Sequence, residues 1–289
     1  MKEFTVNASD GLPISAALFE CDNPKALIQV IHGAKEHKER YYDFSEFLNK
    51  NGYAVIVSDL RGHGHSVNEE YFFGNCGVLD LMVDDQYTVT KYIKELYPDK
   101  SLYIFGHSFG SCIARTYIMT HDDEIEKLGM SGTIFPMMAG KAAEYFCGKN
   151  IDIFGGDTTK GIPPKLANAK SYSWICANPE SMEKYMQDSL CIDCKYTEAT
   201  VNTVVEAVRT IGESDRYLFQ NPELKIRSFT GTGDPFTGGK YGLRKTIKIL
   251  KAAGYRDVRC FIYKGMKHEV INEKGKKKVY KDILDFYND

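Results

Sequence analysis

Five residues, Gly106-His107-Ser108-Phe109-Gly110, set a serine in the pattern G-x-S-x-G. The run Leu102 to Phe105 (LYIF) just before them reads as a strand. Ile113, Ala114, Tyr117 and Ile118 just after them share one side of a helix. A serine at such a sharp strand-to-helix turn is lifted off the edge of the sheet, and glycines beside it leave room for neighbouring backbone. The helix N-terminus then aims the Phe109 N–H at the place where an oxyanion would form. The chemistry on offer is nucleophilic attack on a carbonyl. A bare hydroxyl is too weak for it, so a base is required, and an acid to orient the base.

The turn resembles that of the α/β-hydrolases, and the resemblance implies that the acid and then the histidine come later along the chain. Only His121 and His268 lie beyond Ser108. His121 opens the charged run HDDEIEK and reads as a solvated loop residue. His268, in Gly265-Met266-Lys267-His268-Glu269, comes just after the strand Val258–Tyr263, which brings it to the sheet edge of Ser108. It is the candidate general base. Asp234 leaves the strand Leu224–Thr230 through the turn Gly231-Thr232-Gly233-Asp234-Pro235 and is the candidate acid. The runner-up, Asp257, precedes a strand and so belongs to the opposite edge. A second oxyanion donor should come from the loop after an early strand. There His32-Gly33-Ala34 comes directly after Ile28–Ile31, which nominates the Ala34 amide beside that of Phe109 and leaves His32 to shape the loop.

These residues need a frame that brings them to one edge. Ala26–Ile31, Tyr53–Ser58 and Leu102–Phe105 are short apolar runs, and Tyr53–Ser58 is rich in β-branched residues as a doubly covered strand should be. Between them lie helical stripes: Phe44, Phe47 and Leu48, then Met82, Val89, Ile93 and Leu96, ended by Pro98. The alternation predicts an α/β fold with a mostly parallel twisted sheet and helices on both faces. After a further strand at Lys127–Met130 the rhythm stops. It resumes at Leu224, with a helix over Tyr241–Ala253, the strand Val258–Tyr263, and a closing helix aligning Val279, Ile283 and Phe286. One insertion in one core explains this: residues 1–133 and 222–289 form the core and 134–221 the insertion, which contains the helical stretch Val201–Thr210.

Composition removes several function classes. With 37 Lys and Arg against 39 Asp and Glu, the net charge of −2 gives no electrostatic reason to bind nucleic acid. The longest stretch without Asp, Glu, Lys or Arg, Ser101 to Ala114, is too short to cross a bilayer. Met1-Lys2-Glu3-Phe4-Thr5-Val6 lacks the apolar region of a secretory signal, so the eight cysteines read as reduced thiols and the compartment as cytoplasmic. Cys191-x-x-Cys194 lacks partners for a zinc site, since the insertion holds no histidine, and reads as packing thiols. Gly231 to Tyr241 is no phosphate loop, because Asp234 stands where its first glycine is required. Lys276-Lys277-Lys278 reads as the start of a solvated helix face.

Four blocks spread over most of the chain resemble the α/β-hydrolase superfamily, and within it the monoacylglycerol lipase and lysophospholipase group. His32-Gly33-Ala34-Lys35-Glu36-His37, continuing to Arg40-Tyr41, is similar to H-G-x-G-E-H. Asp59 through Ser66 (DLRGHGHS) is similar to D-x-x-G-H-G-x-S, a turn block that accounts for His63 and His65 beside Asp59 better than a metal site does. The serine pentapeptide is the third block, and His268 through Asn272-Glu273 is similar to H-x-x-x-N-E.

The resemblance implies Ser108 as nucleophile, Asp234 as acid, His268 as base, and the Ala34 and Phe109 amides as the oxyanion hole. It implies a helical cap over the acyl pocket from about Ile134 to Asn221, a small-molecule acyl ester as substrate, and no metal or organic cofactor. Two departures stand out. Lys35 occupies the family's second glycine position, and the insertion has few long apolar runs, although Met137, Met138, Phe146, Trp174 and Met186 are candidates for pocket or core. A thioesterase, amidase or peptidase could use the same groups, and a non-catalytic relative would need a broken triad.

Overall fold

The computed structural model describes residues 1–136 and 172–289. Within them the strands are β1 (Lys2–Asn7), β2 (Pro13–Phe19), β3 (Leu27–Ile31), β4 (Ala54–Ser58), β5 (Leu102–His107), β6 (Lys127–Ser131), β7 (Lys225–Gly231) and β8 (Val258–Tyr263). They form one sheet in the order β1-β2-β4-β3-β5-β6-β7-β8. β2 runs antiparallel to β1 and β4, and the pairs from β4 through β8 are parallel. Every residue of β3, β4, β5 and β6 is buried, as continuous apolar strands covered on both faces must be.

The β1–β2 hairpin adds two strands to those predicted. Its signal lies in Asp10-Gly11, between two strand-like runs, with Gly11 at φ +86° where only glycine is at ease.

Strand alternation feeds two cores. Leu27, Ile31, Ile56, Ile104 and Leu128 face α2 (Leu79–Leu96) and α3 (Phe109–His121). Ile28, Val30, Val55, Val57 and Phe105 face α1 (Tyr42–Lys50) and the last helix. The expected stripes hold, except that Leu96 is 48% exposed at the end of α2. His121 is also placed differently from the expected loop. It is the last residue of α3, and its ring stacks on that of Tyr87 at 4.2 Å.

The expected insertion falls between β6 and β7, and residues 137–171, with Met137, Met138, Phe146 and Cys147, lie outside the described residues. The chain is described again from a turn at Tyr172–Trp174, and continues through α4 (Pro179–Gln187), a helical turn Ser189–Ile192 and α5 (Glu198–Thr210). Thr197 caps α5 by accepting from the Thr200 amide at 3.1 Å. Val204, Ala207 and Val208 of α5 are buried in the core shared with α3. Each buried valine there contributes about 1.5–3 kcal/mol relative to exposure. Met186, by contrast, is 44% exposed, so it packs in no core. Two helices close the chain, α6 (Gly239–Ala252) and α7 (Lys276–Asn288), with Val279, Ile283 and Phe286 of α7 buried as the spacing predicts.

Candidate active site

Ser108 sits between β5 and α3 at φ +53°, ψ −118°, a conformation that costs a serine about 1–3 kcal/mol. Its surroundings hold it there. Its N–H donates to the Ser131 carbonyl at 2.9 Å, and its carbonyl accepts from the Ser111 amide at 2.9 Å and the Ser111 hydroxyl at 2.6 Å. The flanking glycines are obligatory. A Cβ on Gly110 would lie 2.3 Å from the Ile31 carbonyl oxygen, and one on Gly106 would lie 2.6 Å from that of Gly110. This close approach seats α3 directly behind the serine, so the Phe109 N–H is one of the amides that a helix N-terminus leaves without an intrahelical partner.

The other two candidates arrive from the same sheet edge. His268 Nε2 lies 2.7 Å from Ser108 Oγ, and its Nδ1 lies 2.9 Å from Asp234 Oδ2. Asp234 Oδ1 accepts from the Phe236 amide at 2.9 Å, which fixes the carboxylate. Gly231 lets the two loops meet, because a Cβ there would lie 2.3 Å from the carbonyl oxygens of Met266 and Lys267. Asp257, the alternative acid, is bound elsewhere, to Arg227 and Arg259. Burial opposes charge on the His268 ring. The Asp234 charge and hydrogen bond outweigh that, with Glu269 and Glu36 adding to them, and hold its pKa above the ordinary 6.5.

The loop after β3 lies against the serine: a Cβ on Gly33 would lie 3.1 Å from Ser108 Cβ. His32 shapes this loop as expected. Its Nε2 accepts from the Leu60 amide at 2.8 Å, so Nδ1 carries the proton and donates to the Gly33 carbonyl at 2.7 Å. Lys35 takes φ +55°, the left-handed geometry that suits the glycine it replaces. Trp174, from the segment between β6 and β7, packs its ring 5.0 Å from that of His268 and 4.9 Å from that of Phe236, so it borders the site.

A buried ionic cluster behind the site was not legible in the sequence. Arg40 donates to both oxygens of Glu269, at 2.9 and 2.8 Å, and its guanidinium lies 3.1 Å from Glu36. Tyr41 donates to Glu36 at 2.8 Å. Burial pushes the Glu36 carboxyl up to about 7, despite Arg40. Glu269, which takes the bidentate contact, is held at about 2 by Arg40 against its own burial.

Two groups of possible metal ligands come together among the described residues. In Glu36, His107 and Glu269 the Arg40 guanidinium already pairs both carboxylates. In His37, Asp188 and Cys191 the His37 Nε2 already pairs with Asp188 at 2.7 Å. Burial pushes the thiols of Cys191 and Cys194 up, that of Cys194 to about 12, in keeping with packing thiols.

The sequence profile of the family described as serine aminopeptidase, S33, matches residues 22–275. The chain belongs to this family of α/β-hydrolases. Among its relatives, a monoglyceride lipase homolog of Monkeypox virus is 25% identical over 90% of this chain and 88% of its own length. Phospholipase YtpA of Bacillus subtilis is 29% identical over 93% of this chain and 97% of its own. Among solved structures of this fold, a thermostable carboxyl esterase from Bacillus coagulans, in complex with glycerol, is similar with TM-score 0.79 and 26% identity. That match covers 99% of this chain and 97% of the esterase. The 8-stranded, mostly parallel sheet with helices on both faces is the α/β-hydrolase fold that the resemblance implied.

Proposed function

We propose that this protein hydrolyses carboxylic esters, of the monoacylglycerol or lysophospholipid kind, through Ser108, His268 and Asp234. The observation that carries the reading is the unbroken hydrogen-bonded line from Ser108 Oγ through the His268 ring to Asp234. The family and the names of its lipase, phospholipase and esterase relatives support the substrate class.

His268 takes the Ser108 proton as Oγ attacks the ester carbonyl. Asp234 holds the ring with Nε2 facing the serine and stabilises the imidazolium. The Ala34 and Phe109 amides receive the oxyanion. His268 then protonates the leaving alcohol, and water repeats the sequence on the acyl-enzyme to release the acid. Residues 134–221 serve as the cap over the acyl group, with α5 rooting them in the core. No described helix is long and apolar enough to cross a membrane. The free thiols among the described cysteines support a reducing, cytoplasmic setting.

The test is a hydrolysis panel of chromogenic acyl esters, monoacylglycerols, lysophospholipids, an acyl thioester and an aminoacyl anilide, with Ser108→Ala as the blank. Ester turnover that Ser108→Ala lowers by several orders of magnitude is expected. Full ester turnover by Ser108→Ala would overturn the reading, and a preference for the anilide would move the protein to peptide chemistry.

A further inference from the structure

We infer that Tyr196, contributed by the segment between β6 and β7, is a positioning residue that holds the oxyanion loop in its working conformation. The inference rests on the reading of the Ala34 amide as an oxyanion donor. That N–H lies in the peptide plane before Ala34, which is joined through the Ala34 Cα to the plane after it, and a separate side chain grips each plane.

The first plane joins Gly33 to Ala34. His32 Nδ1 donates to its carbonyl at 2.7 Å. Because a trans peptide is planar, holding the carbonyl turns the Ala34 N–H to the opposite side. The second plane joins Ala34 to Lys35. Its N–H donates to the Tyr196 hydroxyl oxygen at 2.9 Å, across 161 positions of sequence. Lys35 is the residue at φ +55°, where a lysine does not settle unaided.

The grip has a fixed sense. His63 Nδ1 lies 3.1 Å from the Arg61 carbonyl, which can only accept, so Nδ1 carries the ring proton and Nε2 accepts. The Tyr196 hydroxyl, 2.7 Å from Nε2, therefore donates to His63 and keeps its oxygen lone pair for Lys35. The chain runs one way, from the Lys35 amide through Tyr196 and His63 to Arg61. Burial favours the neutral ring that this requires, pushing His63 down to about 4. Lys35 Nζ also lies 5.3 Å from the centroid of the Tyr196 ring, a second tie between the same two residues.

Tyr196→Phe removes the acceptor of the Lys35 amide and the donor to His63 Nε2. The loop then relaxes toward an ordinary lysine conformation and turns the Ala34 N–H away. An oxyanion donor acts in the transition state, so the loss falls on kcat rather than KM. Complete loss of one donor costs about 100- to 1000-fold, and misalignment should cost about 10- to 100-fold.

The experiment measures kcat and KM on a chromogenic ester, and the affinity of an alkyl boronic acid whose adduct with Ser108 presents a tetrahedral oxyanion. The chains are the parent, Tyr196→Phe, Lys35→Gly and the double variant, with Ser108→Ala as blank and thermal unfolding recorded for each. The inference expects Tyr196→Phe to lose about 10- to 100-fold in kcat and a similar factor in boronate affinity, with KM within about threefold. It expects the same change to cost less than about threefold in the Lys35→Gly background, because glycine holds the left-handed geometry without the clamp. A kcat for Tyr196→Phe within about twofold of the parent overturns it, as does a change confined to KM, or an equal loss in both backgrounds. Should Tyr196→Phe not fold, the double variant decides: folded with kcat near that of Lys35→Gly supports the inference, and unfolded or slower overturns it. Activity in Ser108→Ala would sink the serine reading itself, whereas an inactive Ser108→Ala beside an unaffected Tyr196→Phe sinks only this inference.

Discussion

Replacing Glu36 by glutamine should stabilise the protein only at pH values where the carboxyl is ionised in the unfolded chain, and the gain should grow until the buried carboxyl ionises as well. Glu36 shares Arg40 with Glu269, and Glu269 takes the bidentate contact. Burial therefore dominates at Glu36 and raises its carboxyl from 4.5 to about 7. Ionising it in the native chain costs about 3 kcal/mol more than in the unfolded chain. Below pH 4.5 both states hold the proton and nothing is lost. Between 4.5 and about 7 the unfolded chain releases its proton while the native one keeps it, so native stability falls as pH rises. Above that window both are ionised and the loss is constant. Glutamine removes the loss without removing the contacts, since its carbonyl can accept from Tyr41 and Arg40, which lie 2.8 and 3.1 Å from the present carboxylate oxygen. Its amide would face His107 Nε2, a buried nitrogen with no hydrogen-bond partner among the described residues. Urea unfolding of both chains from about pH 4.5 to 8.5 should show the advantage of Glu36→Gln growing by about 3 kcal/mol. For 289 residues that corresponds to about 5 °C in Tm. An advantage that stays flat across that range would refute the reasoning, because Glu36 would then be ionised in the native protein throughout.

Two further changes probe the site directly. The acid limb of kcat/KM should lie above pH 6.5, where His268 is held by Asp234, and Asp234→Asn should cost about 10,000-fold in kcat. A pH–rate profile of the two chains checks both, and a limb at or below 6.5 in the parent counts against the assignment. Gly132→Ala would place a Cβ 2.8 Å from Cε1 of both His107 and His268, at a residue with φ +56°. It should push the His268 ring off Ser108 and lower kcat at least about 100-fold with the sheet intact by circular dichroism. Activity near the parent's would show that this contact does not set the ring.

The sequence by itself nominated the candidate chemistry-bearing residues and the edge they share. Gly106 and Gly110 announce the sharp turn, the apolar runs announce the strands, and the strands that Asp234 and His268 leave bring them to the edge of Ser108. Such signals are local: a period of two or 3.6 residues, or a glycine where a side chain cannot fit, is written within a few positions. Misplaced features were also local in scale. Leu96 continued a stripe past the point where α2 meets the core, and His121 looked polar enough for a loop while its ring found Tyr87. Only the tertiary structure decided the rest. That His268 stands 2.7 Å from Ser108, that Arg40 meets Glu269 from 229 positions away, and that Tyr196 reaches Lys35 all depend on how the sheet orders its strands and where the segment after β6 returns to it. A period along one segment says which face is buried, but not which distant side chain will be waiting there; that is settled when the strands pair and the loops at their ends are packed together.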